Sequence, residues 1–118
     1  MNIQELRDYC LNKKGTIETY PFDETTMVLK VGSKMYCLTD IEHVPFSFTV
    51  KCDPERAIDL RERYQEVTPG YHCNKKHWNT VSPLGELRDA ELYELIDHSY
   101  DLVYSSLKKS EKAEIEAL

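Results

Sequence analysis

Two short runs in this chain, Thr26–Val31 and Lys34–Thr39, are separated only by Gly32 and Ser33. A Gly-x pair between alternating runs is the signature of a two-residue hairpin turn, because glycine adopts the positive φ such turns require. The pair commits the chain to antiparallel neighbours, and so to a sheet with one face in need of cover. Met27, Leu29 and Val31 fall on one face of the first strand by alternation, and Met35 and Cys37 on one face of the second. Thr16–Phe22 and Phe46–Lys51 read as two more strands. In the former, Tyr20 is biased to extended backbone by the following Pro21. The expectation is a four-strand antiparallel meander.

The remaining segments supply helices. Residues 2–14 carry Asn2 as an N-cap, Glu5 as its capping-box partner, and Ile3, Leu6, Tyr9 and Cys10 on one stripe; Gly15 follows as a stop. Asp53-Pro54 pairs a cap with proline at the first helical position, opening a helix to about Gln65 whose charges alternate in sign like a solvated face. Asp89 is expected to cap a last helix, 90–108, with Leu92, Leu95, Ile96, Val103 and Leu107 inward. Its acidic ridge, Glu91, Glu94, Asp97 and Asp101, reads as a solvent face. Residues 109–118 form a charged extension, helical or frayed. No linker divides the chain, so 1–118 is one α+β domain with helices packed on one face of the sheet.

Charge and cysteine placement narrow the function classes. A formal net charge of -6 argues against coating nucleic acid or anionic membrane through bulk charge, while leaving room for a local basic patch. The N-terminal residues contain acids and no apolar run, so they read as neither signal peptide nor membrane span. Cys10, Cys37, Cys52 and Cys73 include no Cys-x-x-Cys pair. Reduced thiols and a cytoplasmic protein are expected.

One stretch does not read as scaffold. From Thr68 to Val81 the chain holds its only tryptophan, two of four histidines and an adjacent lysine pair, with no carboxylate. Lys75, Lys76, His72 and His77 are suited to phosphate, Asn74 and Asn79 to base edges or phosphate, and Tyr71 and Trp78 to stacking. The same residues also suit a structural role, with Tyr71 and Trp78 closing one end of the core and the lysines turned outward. His72, Cys73 and His77 make a single cluster with no second pair, short of a four-ligand zinc site, so no metal or other cofactor is expected. Cys73 lacks an orienting carboxylate and an oxyanion-hole motif, and no glycine-rich phosphate loop exists, so no enzyme constellation is found.

Several strings here resemble the MmcQ/YjbR family. They are Tyr20-Pro21-Phe22, the hairpin from Leu29 to Tyr36, Lys51-Cys52-Asp53-Pro54-Glu55, Pro69 through Val81, and Ser99-Tyr100-Asp101-Leu102-Val103. The resemblance covers residues 1–108. It implies a CyaY-like (frataxin-type) fold and DNA binding in a proposed double-wing arrangement, which would engage Lys30, Lys34 and Lys51 together with the Tyr71–Trp78 loop. Iron handling does not carry over: the first helix offers only Glu5 and Asp8 against Arg7, Lys13 and Lys14. The expected protein is a non-enzymatic, monomeric or weakly dimeric DNA binder. The alternative is a module for a protein or small-molecule partner.

Overall fold

A computed structural model describes all of residues 1–118. Thr16–Thr19 (β1), Thr26–Val31 (β2), Lys34–Asp40 (β3) and Phe48–Lys51 (β4) form the antiparallel meander. Val31 pairs with Lys34 across a two-residue turn, and Gly32 has φ +60°, the left-handed conformation the turn demands. Val67–Pro69 (β5) and Trp78–Val81 (β6) extend the sheet to six strands in the order β1-β2-β3-β4-β6-β5. The Tyr71–Trp78 loop is therefore the connection of a second hairpin. Its last strand is inserted between β4 and the edge strand β5, with Lys51 opposite Trp78 and Val50 opposite Asn79.

Four helices, Ile3–Leu11 (α1), Pro54–Arg63 (α2), Asp89–Ser105 (α3) and Lys109–Glu116 (α4), all lie on one face. The Asn2 capping box with Glu5 forms as expected, and Asp53 caps α2 through the Arg56 amide. Helix α1 stops at Leu11, short of 14. Lys13 turns instead to the Asp97 carboxylate, 2.5 Å away, with its ammonium 5.1 Å from the ring centroids of both Tyr9 and Tyr100. Arg88 precedes α3 in the capping position, its amide donating to Glu91, while Asp89 pairs with the chain's N-terminal amine at 2.9 Å. The extension after Ser105 is a packed helix: Ile115 is buried and sits against Gly15.

A bulge in β3 sets which side chains face the helices. Leu29 pairs with Cys37 but Lys30 pairs with Met35, so one residue, Tyr36, is extra. Tyr36 and Cys37 both enter the core, and Met35 emerges on the opposite face, contrary to the simple alternation that put Met35 with Cys37. Beyond Cys37–Val50 the β3–β4 pairing ends, and Ser99 of α3 occupies the gap. Its hydroxyl donates to the Tyr36 carbonyl (2.5 Å) and accepts from the Lys51 amide (2.9 Å). Across α2 and α3, the Asp53 amide donates to Nε2 of His98 at 3.1 Å.

Glu66, only 1% exposed, is an acid that no local pattern places inside. Its carboxylate accepts from the amides of Leu84, Glu86 and Leu87, gathering residues 84–87 into the entry to α3. Removing it orphans these donors, so Glu66→Ala should cost roughly 3 kcal/mol in denaturant unfolding. A loss under about 1 kcal/mol would show that water replaces the carboxylate fully.

Burial, and secondarily Arg56, lowers the His98 pKa below its ordinary 6.5. A depressed folded pKa means the unfolded state binds the proton more readily, so this contribution is present above about pH 6.5 and fades as pH falls through the lower, folded value. The difference in Tm between wild type and His98→Gln, followed against pH, should shrink on acidification below that point. A difference independent of pH would refute the assignment.

Candidate functional site

Because every helix packs on one side, the other side of the sheet is bare of helices, although Val28 and Thr49 on it are buried. Its side chains follow from the register. One row runs Val28, Leu38, Thr49, Thr80 and Thr68 across five strands, with the Thr49 and Thr80 hydroxyls bonded at 2.8 Å. The next row contains Lys30 opposite Met35 and Lys51 opposite Trp78. Three connections rim this face: the one after β1 with Phe22 and Asp23, the one after β3 with His43, and the β5–β6 loop with Tyr71, His72 and Cys73. Together they bound a groove of about 740 Å³ floored by Met35, Leu38, Thr49 and Thr80.

The β5–β6 loop is held by contacts from both sides. Tyr71 donates its amide to the Thr80 hydroxyl (3.0 Å), and the Asn74 side chain accepts from the Lys76 amide (2.9 Å). From α2, Arg61 reaches the Lys75 carbonyl, the Asn79 side-chain oxygen (2.6 Å) and, at 3.4 Å, the Trp78 carbonyl. The buried Asn79 completes the link by donating to Ala57 of α2 at 3.3 Å. Gly70 is required by close approach: a Cβ there would lie 2.6 Å from that of Trp78 and 2.9 Å from its carbonyl oxygen. His72 holds φ +58°, the left-handed region that few non-glycine residues other than asparagine, aspartate and histidine adopt, and its ring lies 4.0 Å from that of Tyr71.

The residues singled out from the sequence divide into three groups. Tyr71 and His72 line the groove, and Trp78 lies on the bare face with Lys30 and Lys51 from the sheet, while Asn74, Lys76 and His77 belong to the loop between them. Lys75 shares the loop, but its ammonium donates to the Gly70 carbonyl at 3.3 Å and so helps hold the loop's shape. Lys34 is elsewhere: opposite Val31 it shares the helix side, and its ammonium bonds Ser106 at the end of α3. Tyr71 is 70% exposed, so it does not close the core, while Trp78 is half-buried beside Lys51.

The electrostatics are polarised along the groove. Lys30, Lys51 and Lys76 have no carboxylate within 4.0 Å, whereas Asp23 and Asp40 stand at the far end. Asp23 is held below its usual pKa by the Thr26 amide and hydroxyl, which fixes its negative charge. The Cys73 thiol is pushed up by burial, the opposite of what a nucleophile needs. No cluster of three or more His, Cys, Asp or Glu side chains is arranged to hold a metal ion. No helix is long and apolar enough to cross a membrane.

Sequence reasoning missed Arg61 and Phe22. Arg61 sits in a helix of alternating charges, where nothing local distinguishes a clamp from a solvated side chain. Phe22 had a visible signal, an aromatic just past Tyr-Pro where the strand must end.

An open antiparallel sheet, four helices on one side and a braced aromatic–basic loop on the other define an α+β class with a single uncovered face. The YjbR family model matches residues 11–102, and the chain belongs to that family. It is 33% identical over 113 residues to the uncharacterised Escherichia coli K-12 protein YjbR, covering 95% of each chain. It is 36% identical over 97 residues to uncharacterised YbdF of Escherichia coli O157:H7, covering 81% of this chain and 79% of that one. Among solved structures it is similar to Deinococcus radiodurans DR2400, of domain family DUF419, with a TM-score of 0.91, 41% identity, and 98% and 88% of the two chains covered. A Pseudomonas syringae protein matches with a TM-score of 0.73 at 29% identity, over 87% of this chain and 99% of that one.

Arg61→Ala removes the clamp from three acceptors and leaves the buried Asn79 oxygen unpaired. It should cost about 2 kcal/mol in denaturant unfolding and red-shift the Trp78 emission as the loop loosens. Unchanged emission and stability would mean the loop holds without α2.

Proposed function

We propose that this protein binds nucleic acid without chemistry of its own, through the bare sheet face and the Tyr71–Trp78 loop. The observation that carries the reading is that Lys30 and Lys51 on the bare face, and the exposed Lys76 of the adjoining loop, lack carboxylate partners in a chain of net charge -6. In so acidic a protein, cations left unpaired along one edge of a groove favour an anionic ligand there over bulk attraction. Trp78 and Tyr71 beside these lysines add surfaces on which bases stack. The hairpin contributes Lys30 from within β2 rather than through its tip. A second reading, a small molecule held in the groove, draws support from the apolar floor of Met35 and Leu38. The two differ in salt dependence, since only phosphate contacts release counterions.

Trp78 is the sole tryptophan, so its emission reports on this site without a label. Titrating wild type and the Lys51→Glu/Lys76→Glu variant with short oligonucleotides at two salt concentrations tests the reading. Affinity of the variant at low salt should fall by roughly tenfold or more, and its salt slope by about 1.4 to 1.8, at ~0.7–0.9 for each of two phosphates lost. Stability should change by about 0.5 kcal/mol or less. Absence of saturable, salt-sensitive binding by wild type would refute the proposal. Equal binding by the variant would move the contact elsewhere on the surface.

A further inference from the structure

We propose that the nucleic acid is single-stranded, its bases stacking on Tyr71 and Phe22 while its backbone follows Lys30, Lys51 and Lys76. This deepens the nucleic-acid reading above and rests on it. The major groove of a duplex, about 12 Å wide, admits a helix or a protruding two-stranded ribbon. The β2–β3 tip does not protrude: the Ser33 amide donates to Glu111 of α4 at 2.9 Å, and a Leu107 methyl lies 3.0 Å from where a Cβ on Gly32 would sit. A phosphate approaching that tip meets the Glu111 carboxylate. The β5–β6 loop is drawn back onto its own sheet by the Tyr71–Thr80 bond and the Arg61 clamp. Neither is a ribbon free to enter a groove.

What the bare face does offer suits unpaired bases. Tyr71 is 70% exposed and Phe22 65% exposed, and both line the same groove. An aromatic face presented to solvent beside unpaired cations is the arrangement by which single strands are held, since every base has a π-face and a duplex has already stacked its own. His72 lies against Tyr71 with ring centroids 4.0 Å apart, bracing the ring. The charge pattern agrees. Lys30 and Lys51 lie two strands apart, a span of about 10 Å at ~4.8 Å per strand, which serves one backbone and not two. Asp23 and Asp40 at the far end repel phosphate, confining the backbone to the lysine edge and leaving the groove to bases. A duplex would carry a second backbone of equal charge towards these carboxylates.

The test measures binding of the full chain to an unstructured oligonucleotide of roughly twelve residues, a length within the usual range for one single-strand site. Its probes are the strand as DNA, the same sequence as RNA, its duplex, and an abasic strand of equal length. The expected result is binding to at least one single strand roughly tenfold or more tighter than to duplex or abasic strand, with a log–log salt slope near −2 from about 0.7 per phosphate. Tyr71→Ala and Phe22→Ala should each weaken single-strand binding by roughly fivefold or more and leave Tm unchanged, since both rings are exposed. The DNA and RNA arms identify which sugar is preferred. Duplex binding as tight as single-strand binding, or single-strand binding indifferent to both aromatic variants, would overturn this inference and leave the nucleic-acid reading standing. No salt-sensitive binding to any probe would overturn both.

Discussion

The hydroxyl of Ser99 is the contact on which the geometry of the uncovered face of this protein depends. It sits where β3 and β4 part, donating to one strand's carbonyl and accepting from the other's amide. Two buried backbone groups left unpaired there would cost several kcal/mol, about 1–3 each. By pairing both, α3 holds the strands at the position where β3 carries its extra residue. Tyr36 can then enter the helix layer, where its hydroxyl bonds Thr16 and the Cys10 carbonyl, while Met35 turns to the bare side. Lys51, whose amide Ser99 holds, is presented on that same bare side opposite Trp78. A bond on the covered side thus sets the geometry of the exposed one.

The loop beside that face is rigid for a related reason. Arg61 and Asn79 connect it to α2, and Gly70 admits the close passage of the Trp78 backbone. A loop pre-organised in this way loses little conformational entropy when it engages a ligand. The left-handed backbone at His72 fits the same picture, since a sparsely populated conformation persists only where its surroundings hold it. Arg61 therefore works through the loop without facing the groove itself.

Paired and unpaired cations are segregated here. Several cations on the helical side and at its margin are matched, Lys13 with Asp97, Arg56 with Glu94 and Arg7 with Glu18. Lys30, Lys51 and Lys76 are not. A net charge of -6 weakens long-range attraction to polyanions, so such a protein favours short local contacts that salt readily screens.

Short-range signals in the sequence determined several elements directly. Gly32-Ser33 specified its turn, Asn2 with Glu5 specified the start of α1, and Asp53-Pro54 the start of α2, because each depends on backbone geometry within a few residues. The α+β class followed from the same local periods, and the aromatic–basic composition of residues 68–81 marked the site. Tertiary structure alone decided the rest. β5 and β6 are three and four residues long, too short for alternation to register, and exist because β4 supplies a partner for β6. The turn register sent Lys34 to the helix side and Met35 to the bare side, a reversal that a one-residue shift always produces, and the bulge at Tyr36 then brought Cys37 into the core. Glu66, Arg61 and Ser99 carry no local mark, since their partners lie 14 to 63 residues away and only the folded chain brings donor to acceptor.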